Sequence, residues 1–184
     1  MKTNLEIEYK TLLSKEEYDR ILAYYNDAEV IEQTNHYYQS ENSSNKKIAA
    51  RIRQIGNTFE LTFKIKQEKG KLEVNFEVPS NSPEHFLRED VQTFLMEHHY
   101  THEWRYIGEL HTKRHVIKDK YGEICIDHNT YLSNEDYEFE YEVNNIYESL
   151  AFPRYLEILK QFSVQNIKAK AKFHRFVLSK FDLD

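Results

Sequence analysis

Polar and apolar residues alternate with a period of two along most of the chain. Leu5, Ile7 and Tyr9 fall on one side and Glu6, Glu8 and Lys10 on the other, which predicts a strand over residues 5–13. At Ser14 the period changes. Tyr18, Ile21, Leu22 and Tyr25 recur at helical spacing, and Ser14 with Glu17 makes a capping-box signature at the helix start. Further strands are predicted over residues 35–40, 49–55, 58–66 and 71–78, with a polar loop over 41–47, a hairpin around Gly56-Asn57 and a turn at Gly70. Ser82 and Pro83 start a helix that runs toward His99. In the second half, residues 104–118 read as one or two strands, followed by strands over 123–129, 137–144 and 165–172. Helices are predicted over 147–162, bent or restarted near Pro153, and over 173–181. The order suggests two β-rich halves, each with a helix or two, in one antiparallel sheet system.

The polar side of these strands is segregated by sign. Glu6 and Glu8 stand with Lys10; Arg51 with Arg53; Lys64 with Lys66 beside Thr62; Glu73 with Asn75 and Glu77; Glu138 with Glu140 and Glu142; Lys168 with Lys170 and Lys172. Asp127 lies opposite Ile124 and Ile126. The plain reading is the solvated face of an ordinary antiparallel sheet. Two features oppose it. A solubility surface mixes signs along each strand, whereas several strands here are wholly acidic or wholly basic. The amphipathic helices also need the apolar face, so if the sheet closes with helices outside, the charged face becomes an interior. Burying that many charges demands charged guests. A polyphosphate would answer the basic strands, and Mg²⁺ or Mn²⁺, which prefer hard oxygen ligands, the acidic ones.

Composition narrows the field. At 184 residues, the chain fits one domain, 1–184. A net charge of −6 argues against a stable complex with nucleic acid held by a basic surface. The single cysteine, Cys125, forms no internal disulfide, and no apolar run of signal-peptide or membrane-span length is present, which predicts a soluble cytoplasmic protein. His98, His99, His102, His111 and His115 lie close in sequence but match no standard zinc spacing.

Glu6-Ile7-Glu8-Tyr9-Lys10 resembles the E-x-E-x-K signature of the CYTH superfamily, the triphosphate tunnel metalloenzymes. Asn35-His36-Tyr37-Tyr38, Ala50-Arg51-Ile52-Arg53, Leu61-Thr62-Phe63-Lys64, the late Tyr137 to Glu142 stretch and Ala169 to Lys172 with Arg175 resemble the later family strands, in the same order. Gln39 and Ala171 depart from it, standing where the family often has Asp and Ser.

The resemblance implies an α+β fold: an eight-stranded, closed antiparallel barrel with a charged interior and helices packed outside. It implies a metal-dependent triphosphatase acting on tripolyphosphate or an organic triphosphate, as a monomer or homodimer. A class IV-type adenylate cyclase and a non-catalytic polyphosphate- or nucleotide-binding module are the alternatives. Carried over by residue, Glu6, Glu8, Glu138, Glu140 and Asp127 are metal ligands. Lys10, Arg51, Arg53, Lys64, Lys66, Arg114, Lys170, Lys172 and Arg175 contact phosphate. Glu73, Glu77 and Glu142 give acidic support.

Overall fold

The computed structural model describes residues 1–40, 49–100 and 103–181. The expected 41–47 loop and His102 therefore lie outside the described residues. The chain folds as two compact units. Unit 1 contains Met1–Leu5 and Gln33–Leu110; unit 2 contains Glu6–Glu32 and His111–Asp184. The class is α+β, with nine strands and four α-helices among the described residues.

In unit 1 the strand order is β1 (Lys2–Glu6), β6 (Lys71–Val78), β5 (Thr58–Lys66), β4 (Ala49–Ile55), β3 (Glu29–Ser40) and the first part of β7 (Trp104–Asp119). The hairpin at Gly56-Asn57 forms as expected, with Ile55 opposite Thr58 and Gly56 at φ +55°. One face of these strands is apolar. Tyr38, Ala50, Ile52, Leu61, Phe63, Val74 and Phe76 pack there against Phe86, Val91, Phe94 and Leu95. The last three belong to α2 (Glu89–Glu97). The helix expected from Ser82 is split. A 3-10 turn, Pro83–Leu87, is capped by Ser82. The chain then turns extended at Arg88, whose guanidinium donates to the Glu77 carbonyl and to Asp90.

In unit 2 the rest of β7 is followed by β8 (Gly122–Tyr131), β9 (Asn134–Val143) and β2 (Glu8–Leu13). Its apolar face, with Leu13, Ile124, Ile126, Tyr137, Phe139 and Tyr141, packs against α1 (Lys15–Tyr24) and α3 (Glu148–Gln161). The capping box at Ser14 and Glu17 is present, and α3 is continuous through Pro153. The fourth helix, α4 (Lys172–Lys180), corrects the expectation that every helix covers the apolar side. Its Arg175 reaches Asp136 and Glu138, on the polar side of β9.

Two strand expectations are also corrected. Residues 5–13 form two strands, because the chain changes partner at Ile7: β1 pairs with β6 and β2 with β9. The resulting order, β1-β6-β5-β4-β3-β7-β8-β9-β2, has nine members and two ends, not the eight of a closed barrel. Residues 165–172 form no strand. A single bridge joins Thr11 to Lys168, and the Thr11 hydroxyl replaces a ladder by donating to the Gln165 carbonyl and accepting from the Ile167 amide.

Gly122 starts β8 where a Cβ would stand 2.0 Å from the Glu142 carbonyl oxygen. Gly122→Ala is expected to cost about 3 kcal/mol, since backbone cannot step aside as a flexible side chain does. Gly56→Ala meets no atom within 4 Å and only has to hold its left-handed φ, for about 1 kcal/mol. Urea unfolding of the two variants checks this ranking; equal losses would contradict it.

Candidate functional site

The register of unit 2 assembles the polar face row by row. Arg114 on β7 stands opposite Asp127 on β8, and Asp127 opposite Glu138 on β9. In the next row Cys125 faces Glu140, and Glu140 faces Lys10 on β2. Glu8 faces Glu142. These side chains alternate with the apolar residues under α1 and α3, so core packing on one face fixes where the carboxylates point.

The central carboxylates are buried. Side chains of Asp127 and Glu138 are 0% exposed and Glu140 4%. This excludes the solvated-face reading for unit 2. The Lys172 ammonium sits among all three, 2.8 Å from Asp127 Oδ2, 2.6 Å from Glu138 Oε2 and 2.8 Å from Glu140 Oε1. Lys10 Nζ lies 2.8 Å from Glu8 and 3.0 Å from Glu140. Arg114 donates from Nε and NH2 to the two Asp127 oxygens at 2.8 and 2.7 Å, from NH2 to Glu140, and from NH1 to Glu142 at 2.5 Å. Arg175 grips Asp136 and Glu138 with paired contacts of 2.8–3.1 Å. Asp136 also accepts from Asn129 and Tyr131.

Burial alone would neutralise these groups, yet the partners prevail. Desolvation opposes the charged Glu140, but Lys10, Lys172 and Arg114 hold its carboxyl well below the usual range. Lys172 and Lys10 are desolvated too, and the surrounding carboxylates raise both above an ordinary lysine. Among the described residues, ion pairs link the carboxylates of Glu8, Asp127, Asp136, Glu138, Glu140 and Glu142 to the cations Lys10, Arg114, Lys172 and Arg175. Asp127, Glu138 and Glu140 also offer one oxygen each within 4.8 Å of one another, so the donor set suits a hard divalent cation. Among the described residues no histidine belongs to such a group.

Unit 1 is the basic counterpart. Lys64 Nζ lies 2.7 Å and Arg51 NH2 3.5 Å from Glu73 Oε1. Arg53 donates to Asn35 Oδ1 at 3.2 Å. Burial opposes the charged Glu73, and Lys64, Arg51 and Arg53 pull its pKa down nonetheless.

The expected site residues thus sort themselves. Glu8, Lys10, Arg114, Asp127, Glu138, Glu140, Glu142 and Lys172 come together in unit 2; Arg51, Lys64 and Glu73 come together in unit 1. Glu6 is half-buried at the end of β1, and Arg53 stands beside Asn35. Lys66 and Lys170 are exposed, and Glu77 pairs with Lys2 on the surface. Arg175 is engaged by carboxylates. Lys172 meets the cluster because it opens α4, not through strand alternation. Asp136 was missed, although one further step back along Glu142, Glu140 and Glu138 reaches it.

Lys172→Met should cost roughly 3–5 kcal/mol of unfolding free energy, because it leaves three buried carboxylates facing one another. An unchanged urea midpoint would refute that balance. A depressed carboxyl pKa contributes stability that is complete above the unfolded-state value, near 4.5 for Glu140, and is lost as pH falls through the folded value. Stability should therefore hold from pH 7 to about 5 and decline below. Glu140→Gln should flatten that decline; an identical acid profile would contradict the assignment.

A CYTH domain model matches residues 4–177. The chain is 30% identical over 188 residues to "Putative triphosphatase YjbK" of Bacillus subtilis (strain 168), with 96% of each chain covered. A Bacillus halodurans crystal structure described as a "putative adenylate cyclase" superposes with a TM-score of 0.82 at 31% identity, covering 96% of this chain and 99% of that one. The Hippeastrum protein HpAC1, a "putative adenylyl cyclase" with "a dominant triphophatase activity", shares the fold at a TM-score of 0.73 and 16% identity, covering 95% of this chain and 96% of that one. No helix among the described residues is long and apolar enough to cross a membrane.

Proposed function

The chain belongs to the CYTH family, and on that premise we propose that it is a divalent-metal-dependent hydrolase of triphosphate substrates, inorganic tripolyphosphate or an organic triphosphate. The observation that carries this reading is the buried acidic cluster of unit 2, in which Asp127, Glu138 and Glu140 have three oxygens placed to share an ion. The chain passes between the units three times, and one family model spans both, which supports a single CYTH-type domain over 1–184.

In this proposal Asp127, Glu138 and Glu140, joined by Glu8 and Glu6, hold Mg²⁺ or Mn²⁺. When bound, such an ion neutralises phosphate charge and polarises a phosphoryl oxygen. Lys172 and Lys10 lie among the same carboxylates, and Arg114 is fixed by Asp127; they neutralise the charge that develops on the departing phosphate groups. Arg51, Arg53 and Lys64 bind phosphate oxygens, and Glu73 keeps Arg51 and Lys64 oriented. Water is the nucleophile. Burial pushes the Cys125 thiol far above its usual pKa, so it is unsuited to attack. Arg175 is a positioning residue that holds Glu138 and Asp136.

The test is turnover. Purified protein with Mg²⁺ or Mn²⁺ should release phosphate from tripolyphosphate, thiamine triphosphate or ATP. Glu138→Gln and Glu140→Gln should each lower kcat on the order of 100-fold. Cyclic AMP formed from ATP would favour the cyclase, a reading the Bacillus halodurans relative keeps in view. Tripolyphosphate binding without turnover would favour a binding module, and neither binding nor turnover would sink the proposal.

A further inference from the structure

The polar face of unit 1 carries polar atoms that its ion pairs leave unexplained. Arg51 on β4 stands opposite Thr62 on β5, and Thr62 opposite Asn75 on β6. In this one cross-strand row Arg51 Nε, Thr62 Oγ1 and Asn75 Oδ1 are all buried without a hydrogen-bond partner among the described residues. Thr62 is only 1% exposed. The neighbouring row behaves differently: Lys64 and Glu73, also opposite each other, satisfy one another at 2.7 Å. In a folded sheet nearly every buried polar atom is paired, and an unpaired one keeps its full desolvation cost. Valine has nearly the shape of threonine and suits a strand better, so a buried hydroxyl with nothing to bond reads as one held ready for a ligand.

The chemistry of the row names the ligand class. A guanidinium N–H, a hydroxyl and a side-chain amide line up on adjacent strands, spaced by about 4.8 Å. The amide presents either its oxygen or its nitrogen, since the two are exchanged by a flip. A tetrahedral group with several acceptor oxygens and a single charged anchor matches this set. We propose that Thr62 and Asn75, beside Arg51, form a subsite for one phosphoryl group of the bound phosphate chain, in which neutral hydrogen bonds fix its orientation. This rests on the triphosphate reading above and adds two contacts to it.

Thermal unfolding of the full chain with and without tripolyphosphate tests the subsite, with affinity taken from the ligand-induced shift. Thr62→Val should leave the ligand-free melting temperature unchanged or higher, because it removes an unsatisfied hydroxyl. The same variant should weaken tripolyphosphate binding about 10-fold. Thr62→Ser, which keeps the hydroxyl, should bind as the wild type does. Asn75→Ala, at a partly exposed position, should also weaken binding and gives a second reading if Thr62→Val fails to fold. Unchanged affinity in a folded Thr62→Val or Asn75→Ala would overturn the subsite. Wild-type protein that does not bind tripolyphosphate at all would instead overturn the triphosphate reading and the subsite with it.

Discussion

Buried carboxylates and cations share the polar face of unit 2, and the arrangement of that unit follows from keeping Asp127, Glu138 and Glu140 out of water yet paired. Isolated, any of these charges would be too costly to bury. Together they are tolerable because each cation serves several carboxylates: Lys172 three, Arg114 three, Lys10 chiefly two. The apolar face of the same strands makes this possible. Ile124, Ile126, Phe139 and Tyr141 lock β8 and β9 in register against α1 and α3, and that register admits only one placement of Asp127, Glu138 and Glu140.

The cluster also explains α4. An exposed amphipathic helix would ordinarily pack apolar residues on an apolar sheet face. Here Arg175 anchors the helix through Asp136 and Glu138, and Lys172, at its first turn, enters the carboxylates. Unit 1 contains the opposite bias, with Arg51, Arg53 and Lys64 around Glu73. The two biases call for different guests, a hard cation and a polyanion.

Much of this was legible in the sequence because period-two alternation records which side of a strand each residue takes. The capping box at Ser14, the hairpin at Gly56-Asn57 and the faces holding Glu138 and Glu140 followed from local rules. What was not legible was non-local. Nothing local at Ile7 reveals that the chain there exchanges one partner strand for another. Lys168, Lys170 and Lys172 alternate as a strand would, but Thr11 captures the backbone before them and α4 begins at Lys172. Alternation also treats Glu77 like Glu73, whereas one faces Lys2 at the surface and the other a half-buried pair of cations.

In the proposed metal-dependent enzyme, the three buried carboxylates hold a divalent ion in a place where Lys172 now supplies the positive charge. Crystals of the protein soaked in Mn²⁺ would test it directly through anomalous scattering. The account predicts a peak within coordination distance, about 2.2 Å, of oxygens of Glu138 and Glu140, with the Lys172 ammonium withdrawn from at least one carboxylate. Manganese bound elsewhere, with Lys172 still touching Asp127, Glu138 and Glu140, would contradict it.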